Sequence, residues 1–157
     1  MTEKQKIKLE KLINTFPDDY KKFFWELTEY AVSLGYYPKL NASETIAEFG
    51  KSKHGKTIMR INTNGDSQAP GIRMRFDGLS VCFGIFQGAA EDSNKECMNC
   101  NRCDRKKGIK YMLPDGSEII GACQEKRILP SYGIDNINEL KEAIKEQDEY
   151  LMSLVSS

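Results

Sequence analysis

One histidine, one tryptophan and five prolines are all that 157 residues provide of these types. Several larger features are missing altogether. No stretch approaches the roughly 18 consecutive apolar residues that suggest a membrane helix, so no membrane span is expected. The opening MTEKQKIKLEKLINTF is polar and charged, without an apolar core or a small-residue cleavage site, so no export signal is expected. Lys plus Arg and Asp plus Glu both number 23, and no global field draws the chain to nucleic acid or anionic lipid. There is no glycine-rich phosphate loop, no Ser-His-Asp set and no H-E-x-x-H. Repeats and low-complexity tracts are absent too. These gaps point to a cytoplasmic protein, with nucleic acid an unexpected partner and no membrane role. They weigh against an enzyme.

A chain of this length fills one domain and can bury a sizeable core without staples. Charged residues make up 29% of it, which suits a soluble globular protein rather than a disordered one. The charge is uneven, however. GKSKHGKTIMR carries four Lys or Arg and no acid, whereas the last 24 residues carry six acidic and two basic side chains.

Apolar residues at 3/4 spacing predict a helix over 2–15, through Leu9, Leu12, Ile13 and Phe16. A stronger helix over 17–34 follows, with Pro17 in its first turn, Tyr20, Phe23, Phe24, Leu27, Tyr30, Ala31 and Leu34 on one face, and Gly35 as its stop. Trp25 falls beside that stripe. SETIAEF (43–49) reads as a strand, although Asn41 and Glu44 could instead cap a short helix. KTIMRIN (56–62) and GIRMRF (71–76) read as strands, the second by strict alternation. SVCFGIFQGAAED fits a helix capped by Ser80, against a competing hairpin signal in the preceding Asp-Gly. IKYML-PDG-SEIIGA is a β-hairpin turning at Pro114, Asp115 and Gly116. A last helix is expected over 136–153, with Asn136 and Glu139 as a capping box. The order favours an α+β fold: N-terminal helices on a small antiparallel sheet, then a cysteine knuckle and hairpin at about 95–125, then a C-terminal helix. One domain over 1–157 is expected.

Four of the five cysteines fall in ECMNCNRCDRKKGIKYMLPDGSEIIGACQEK. In a reducing compartment, clustered thiols are read first as metal ligands or redox groups. Cys97, Cys100 and Cys103 are three apart, a spacing at which a tight knuckle turns successive thiolates toward one ion. The fourth ligand comes from the hairpin. If its strands pair about the Pro-Asp-Gly turn, the residue opposite Cys123 is close to Lys107, only four residues past Cys103, and Cys123 so returns to the knuckle. Four protein ligands leave no open position, which makes the site structural rather than catalytic.

Zinc is the preferred metal. An iron–sulfur cluster in a redox or sensor protein is the alternative, since C-x2-C-x2-C with a remote cysteine also suits such a cluster. The bacterial ferredoxin run continues to a Cys-Pro where this chain has Lys107. Cys82 lies in an apolar segment and reads as core.

Of the remaining polar residues, His54 reads as part of a solvated loop. Lys51, Lys53, Lys56, Arg60, Arg73 and Arg75 could form a basic patch on one sheet face, able to take an anionic ligand. The simpler reading is that alternate polar strand positions face water.

From about 70 to 152, RMRF, the knuckle, IKYMLPDGSEIIGAC and the closing ELKEAIKEQDEYL resemble a family of small uncharacterised bacterial proteins. The resemblance covers roughly half the chain. It implies Cys97, Cys100, Cys103 and Cys123 as metal ligands and nothing catalytic. The functional expectation is a small metal-binding module that binds a small ligand or a protein partner.

Overall fold

The structure, a computed structural model, describes residues 1–63, 70–96, 109–120 and 124–156. It opens with α1 (Glu3–Ile13), started by a reciprocal capping box between Thr2 and Gln5. Leu9, Leu12 and Ile13 bury its inner stripe. Helix α2 (Asp18–Ser33) follows, with Pro17 at its cap rather than in its first turn. It ends where Gly35 takes φ 89°. There the Gly35 N–H donates to Val32 O and the Tyr36 N–H to Ala31 O, so the last carbonyls are satisfied and the chain turns directly into the sheet.

The sheet has five antiparallel strands in the order β1-β2-β3-β4-β7. These are β1 (Tyr37–Leu40), β2 (Ile46–Lys51), β3 (Lys56–Thr63), β4 (Pro70–Arg75) and β7 (Glu125–Ile128). Between β4 and β7 come α3 (Gly84–Glu96) and a separate hairpin of β5 (Lys110–Met112) and β6 (Glu118–Ile120). The chain closes with the short α4 (Pro130–Asp135) and the long α5 (Ile137–Ser153).

Alternation sorts the sheet into two faces. Ala47, Phe49, Met59, Ile61, Ile72, Met74 and Ile128 share one hydrophobic cluster with Phe24, Leu27, Leu140 and Ile144 of the helices. The helices therefore cover that face. At the end of the sheet Phe76 stacks on Tyr111, centroids 5.0 Å apart, and packs on Phe86, which brings the hairpin and α3 into the same cluster.

The α+β class, the antiparallel sheet and the C-terminal helix agree with the sequence. So do the PDG hairpin and Cys82, which is fully buried. The strands β1 and β7 and the helix α4 were not expected. They are short, and none carries a periodic apolar pattern long enough to mark it.

Segment 43–49 enters a strand, as expected, whereas the caps expected at Ser80 and Asn136 are not formed. Asn41 caps no helix: its Oδ1 accepts from the Thr45 and Ile46 N–H groups and makes the β1–β2 turn. Glu44, at φ 54°, instead pairs with Lys8 and Lys11. Asn136 and Glu139 form no capping box, because Glu139 is taken by another helix. Helix α3 begins at Gly84, not Ser80, and Ser80 bonds Glu146.

Candidate functional site

The four predicted ligands Cys97, Cys100, Cys103 and Cys123 lie outside the described residues, so the structure does not place them. What it does place are the elements on either side. Helix α3 runs up to Glu96, and β7 begins at Glu125 and pairs with β4 from Arg75↔Glu125 to Ile72↔Ile128.

The hairpin between them is in the register Lys110↔Ile120, Tyr111↔Ile119, Met112↔Glu118. Its turn follows from residue type. Gly116 adopts φ 82°, and the Asp115 carboxylate accepts from the Ser117 N–H at 2.9 Å and from its hydroxyl at 2.6 Å. The hairpin is also fixed to the body. Tyr111 is fully buried against Phe76, and the Cys82 N–H donates to Met112 O at 2.8 Å. Cys82 itself is no ligand candidate: burial first, and Glu146 second, push its thiol up to about 12. Among the described residues no group of three or more His, Cys, Asp or Glu is placed to hold a metal.

Acid–base residue types converge elsewhere, where α5 meets the β2–β3 hairpin. Gly55 at φ 67° makes the hairpin loop, and the Gly35 stop delivers Tyr36 into the core. The Lys56 N–H donates to His54 Nδ1 at 3.1 Å. That nitrogen carries no proton, so the ring is neutral with its hydrogen on Nε2. Nε2–H then donates to the Tyr36 hydroxyl at 2.9 Å, and the hydroxyl donates to Asp148 Oδ1 at 2.8 Å. Lys51 Nζ closes the chain on Asp148, 2.8 Å from Oδ1 and 3.1 Å from Oδ2.

Burial, and then the Lys51 charge, lower the His54 pKa, while burial and the Asp148 carboxylate raise that of Tyr36 far above its usual range. His54 is thus half-buried and bonded at both nitrogens, not a solvated loop residue. The quartet ties the hairpin to α5.

A second tie holds the end of the sheet. The buried Gln147 accepts from the Gly78 N–H and donates to Asp77, which in turn holds Arg75 at 3.1 and 2.7 Å.

The basic patch divides. Lys51 belongs to the quartet, while Lys53 and Lys56 stand exposed beside it. Arg60 and Arg73 are paired across β3 and β4, and Arg127, absent from the sequence reading, joins them from β7. Its strand was not recognised, and so neither was its place. Two surface clefts lie by Gln5, Lys8 and Lys39 and by Ser80, Glu146 and Tyr150. Neither is lined by Arg73, Arg75 or Glu48.

No family model matches the chain, and no curated protein or solved structure does either. No helix is long and apolar enough to cross a membrane, among the described residues.

Proposed function

We propose that this chain is a cytoplasmic, non-enzymatic binding module in which Cys97, Cys100, Cys103 and Cys123 hold one structural zinc. The observation that carries the reading is the register of the β5–β6 hairpin. That register, from Lys110↔Ile120 to Met112↔Glu118, supports the hairpin on which the sequence argument for a returning fourth cysteine rests. Burial of Tyr111 holds the hairpin to the body and fixes its second strand over Glu118–Ile120, just before the segment that carries Cys123. Four thiolates complete a tetrahedral shell, and the metal stabilises the loop-rich segment that carries them. Four protein ligands leave no open coordination position for a substrate.

Elemental analysis with a visible spectrum, on protein purified without oxygen, tests this. About one zinc per chain and no colour is the expected result. Iron with sulfide and a brown colour would replace the reading with a redox or sensor protein using the same cysteines. Cys123→Ser should lower the bound metal well below one per chain and reduce the melting temperature. Unchanged values for both would remove Cys123 from the site.

A further inference from the structure

We propose that the sheet face opposite the helices binds a compact phosphate-bearing anion, centred on Arg73. The inference gives a ligand class to the binding module proposed above and rests on that part of the reading, not on the metal.

The register sets Arg60, Arg73 and Arg127 directly opposite one another on three adjacent strands. Neighbouring strands lie about 4.8 Å apart, so three guanidinium stems rise within roughly 10 Å. Like charges directly opposed across a sheet are destabilising, and packing within the sheet gives no reason for the row. Carboxylates answer only part of it. Glu48 lies 2.9 Å from Arg60 Nε and Glu125 lies 3.7 Å from its Nη1, while Arg75 is held by Asp77. Arg73, half-buried at the centre, has no hydrogen bond or ion pair among the described residues.

Beside it, two residues back on the same face of β4, stands Gly71. A Cβ there would lie 3.2 Å from Arg127 Nε and 3.5 Å from Asn62 Oδ1. The bare backbone thus leaves a notch over which the Arg127 guanidinium leans, next to Arg73.

The chemistry of the row selects the ligand. Guanidinium groups present rigid forks of donors that match phosphate and carboxylate oxygens. Groups arriving from adjacent strands favour phosphate, whose three acceptor oxygens can be met from several directions at once. The flanking groups select a small ligand over a nucleic-acid strand. Glu48, at the β2 end of the row, and Glu125, two residues from Arg127 on β7, would repel a phosphate backbone running along it. No aromatic residue lies on this face in β2, β3, β4 or β7 to stack a base. The balanced charge of the chain adds no long-range attraction.

Thermal unfolding in inorganic phosphate, against chloride at matched ionic strength, is the test. The parent protein should gain about 2–4 °C in phosphate at roughly four times its Kd. Arg73→Gln should abolish that gain, and Arg73→Lys should keep less than half, because the charge stays while the fork is lost. Arg127→Gln is a second variant should Arg73→Gln not fold, and it too should reduce the gain. No phosphate-specific gain in the parent, or an equal gain in both glutamine variants, overturns the site. Tighter binding of a single-stranded oligonucleotide than of phosphate, lost in Arg73→Gln, overturns the compact ligand in favour of nucleic acid.

Metal content measured on the same samples separates the two proposals. Zinc without a phosphate gain sinks only the anion site. A gain in a metal-free parent sinks only the zinc.

Discussion

The two faces of the sheet are made by the same strands and the same alternation, yet they treat polar groups in opposite ways. Beneath the helices, the polar side chains that enter the interior are mostly given partners, Thr28 Oγ1 of α2 being an exception. Asp148 receives Tyr36 and Lys51, Gln147 receives Gly78 and holds Asp77, and Glu139 receives Ile85 and Tyr132. On the other face Arg60, Arg73 and Arg127 stand side by side, and the central one has no partner among the described residues. Burial explains the difference. A polar group withdrawn from water must be bonded or the fold loses the full desolvation free energy. A half-exposed guanidinium keeps part of its hydration, so like charges can be tolerated there and held ready for an anion.

The comparison is sharpened most by adjacent residues of β2 that point to opposite faces. Phe49 is fully buried against the helices, and Phe49→Ala should reduce stability by about 3–5 kcal/mol. Its neighbour Glu48 makes a partly exposed ion pair with Arg60, and Glu48→Ala should change stability by less than about 1 kcal/mol. Urea unfolding of the two variants measures both. Equal losses would mean that the two faces are wrongly assigned.

Next in size is the quartet. Asp148→Ala leaves the Tyr36 hydroxyl and the Lys51 ammonium, side chain 16% exposed, without their acceptor, which should cost about 2–3 kcal/mol. The same site gives a pH dependence of definite sign. The His54 pKa is lowered in the folded protein, by burial and then by Lys51, Lys56 and Arg75 outweighing Asp148. Its unfolded value is about 6.5. Between the two values the unfolded chain binds more protons, so this contribution is complete above about pH 6.5 and is lost as the pH falls toward the folded value. Unfolding of the parent and of His54→Asn at pH 7.5 and at pH 5 should show a smaller acid loss in the variant. A difference that is independent of His54 would place the titration elsewhere.

Smaller again is Glu139, which also shows where the sequence could and could not be read. Long amphipathic elements were legible: the stripes of α1, α2 and α5 and the alternation of β4 depend only on local periodicity. So were the PDG turn and the burial of Cys82. Glu139 looked like the third residue of a capping box begun by Asn136. In the fold its carboxylate reaches across to the Ile85 N–H at the start of α3, 3.0 Å away, and takes the Tyr132 hydroxyl at 2.9 Å. A helix N-terminus offers free N–H groups to any acceptor near it, local or not, and spacing along the chain cannot say which acceptor arrives.

His54 was misread for the same reason, since its side-chain partner Tyr36 is 18 residues away and leads on to Asp148 of the last helix. The arginine row was half legible, because β7 is four residues long and its Arg127 has no periodic signal. Glu139→Ala should cost about 1–2 kcal/mol in urea unfolding. Amide exchange at the start of α3 should rise more than that at the start of α5.

The smallest effect has the opposite sign, and it tests the comparison most sharply. On the helix side every substitution above removes a partner and lowers stability. Arg73→Gln removes a charge that stands directly opposite two others and is paired with none among the described residues. Opposed like charges contribute unfavourably by about 0.2–1 kcal/mol per pair. In phosphate-free buffer of low ionic strength the variant should therefore be more stable than the parent, by up to about 1 kcal/mol. Salt screens charges that remain partly in water, so the gain should shrink as chloride is raised toward 1 M, where the Debye length is about 3 Å. Phosphate should reverse the order, since it stabilises the parent through Arg73 and leaves the variant unchanged. A variant less stable than the parent in every buffer would mean that Arg73 is bonded within the fold. The two faces would then follow one rule.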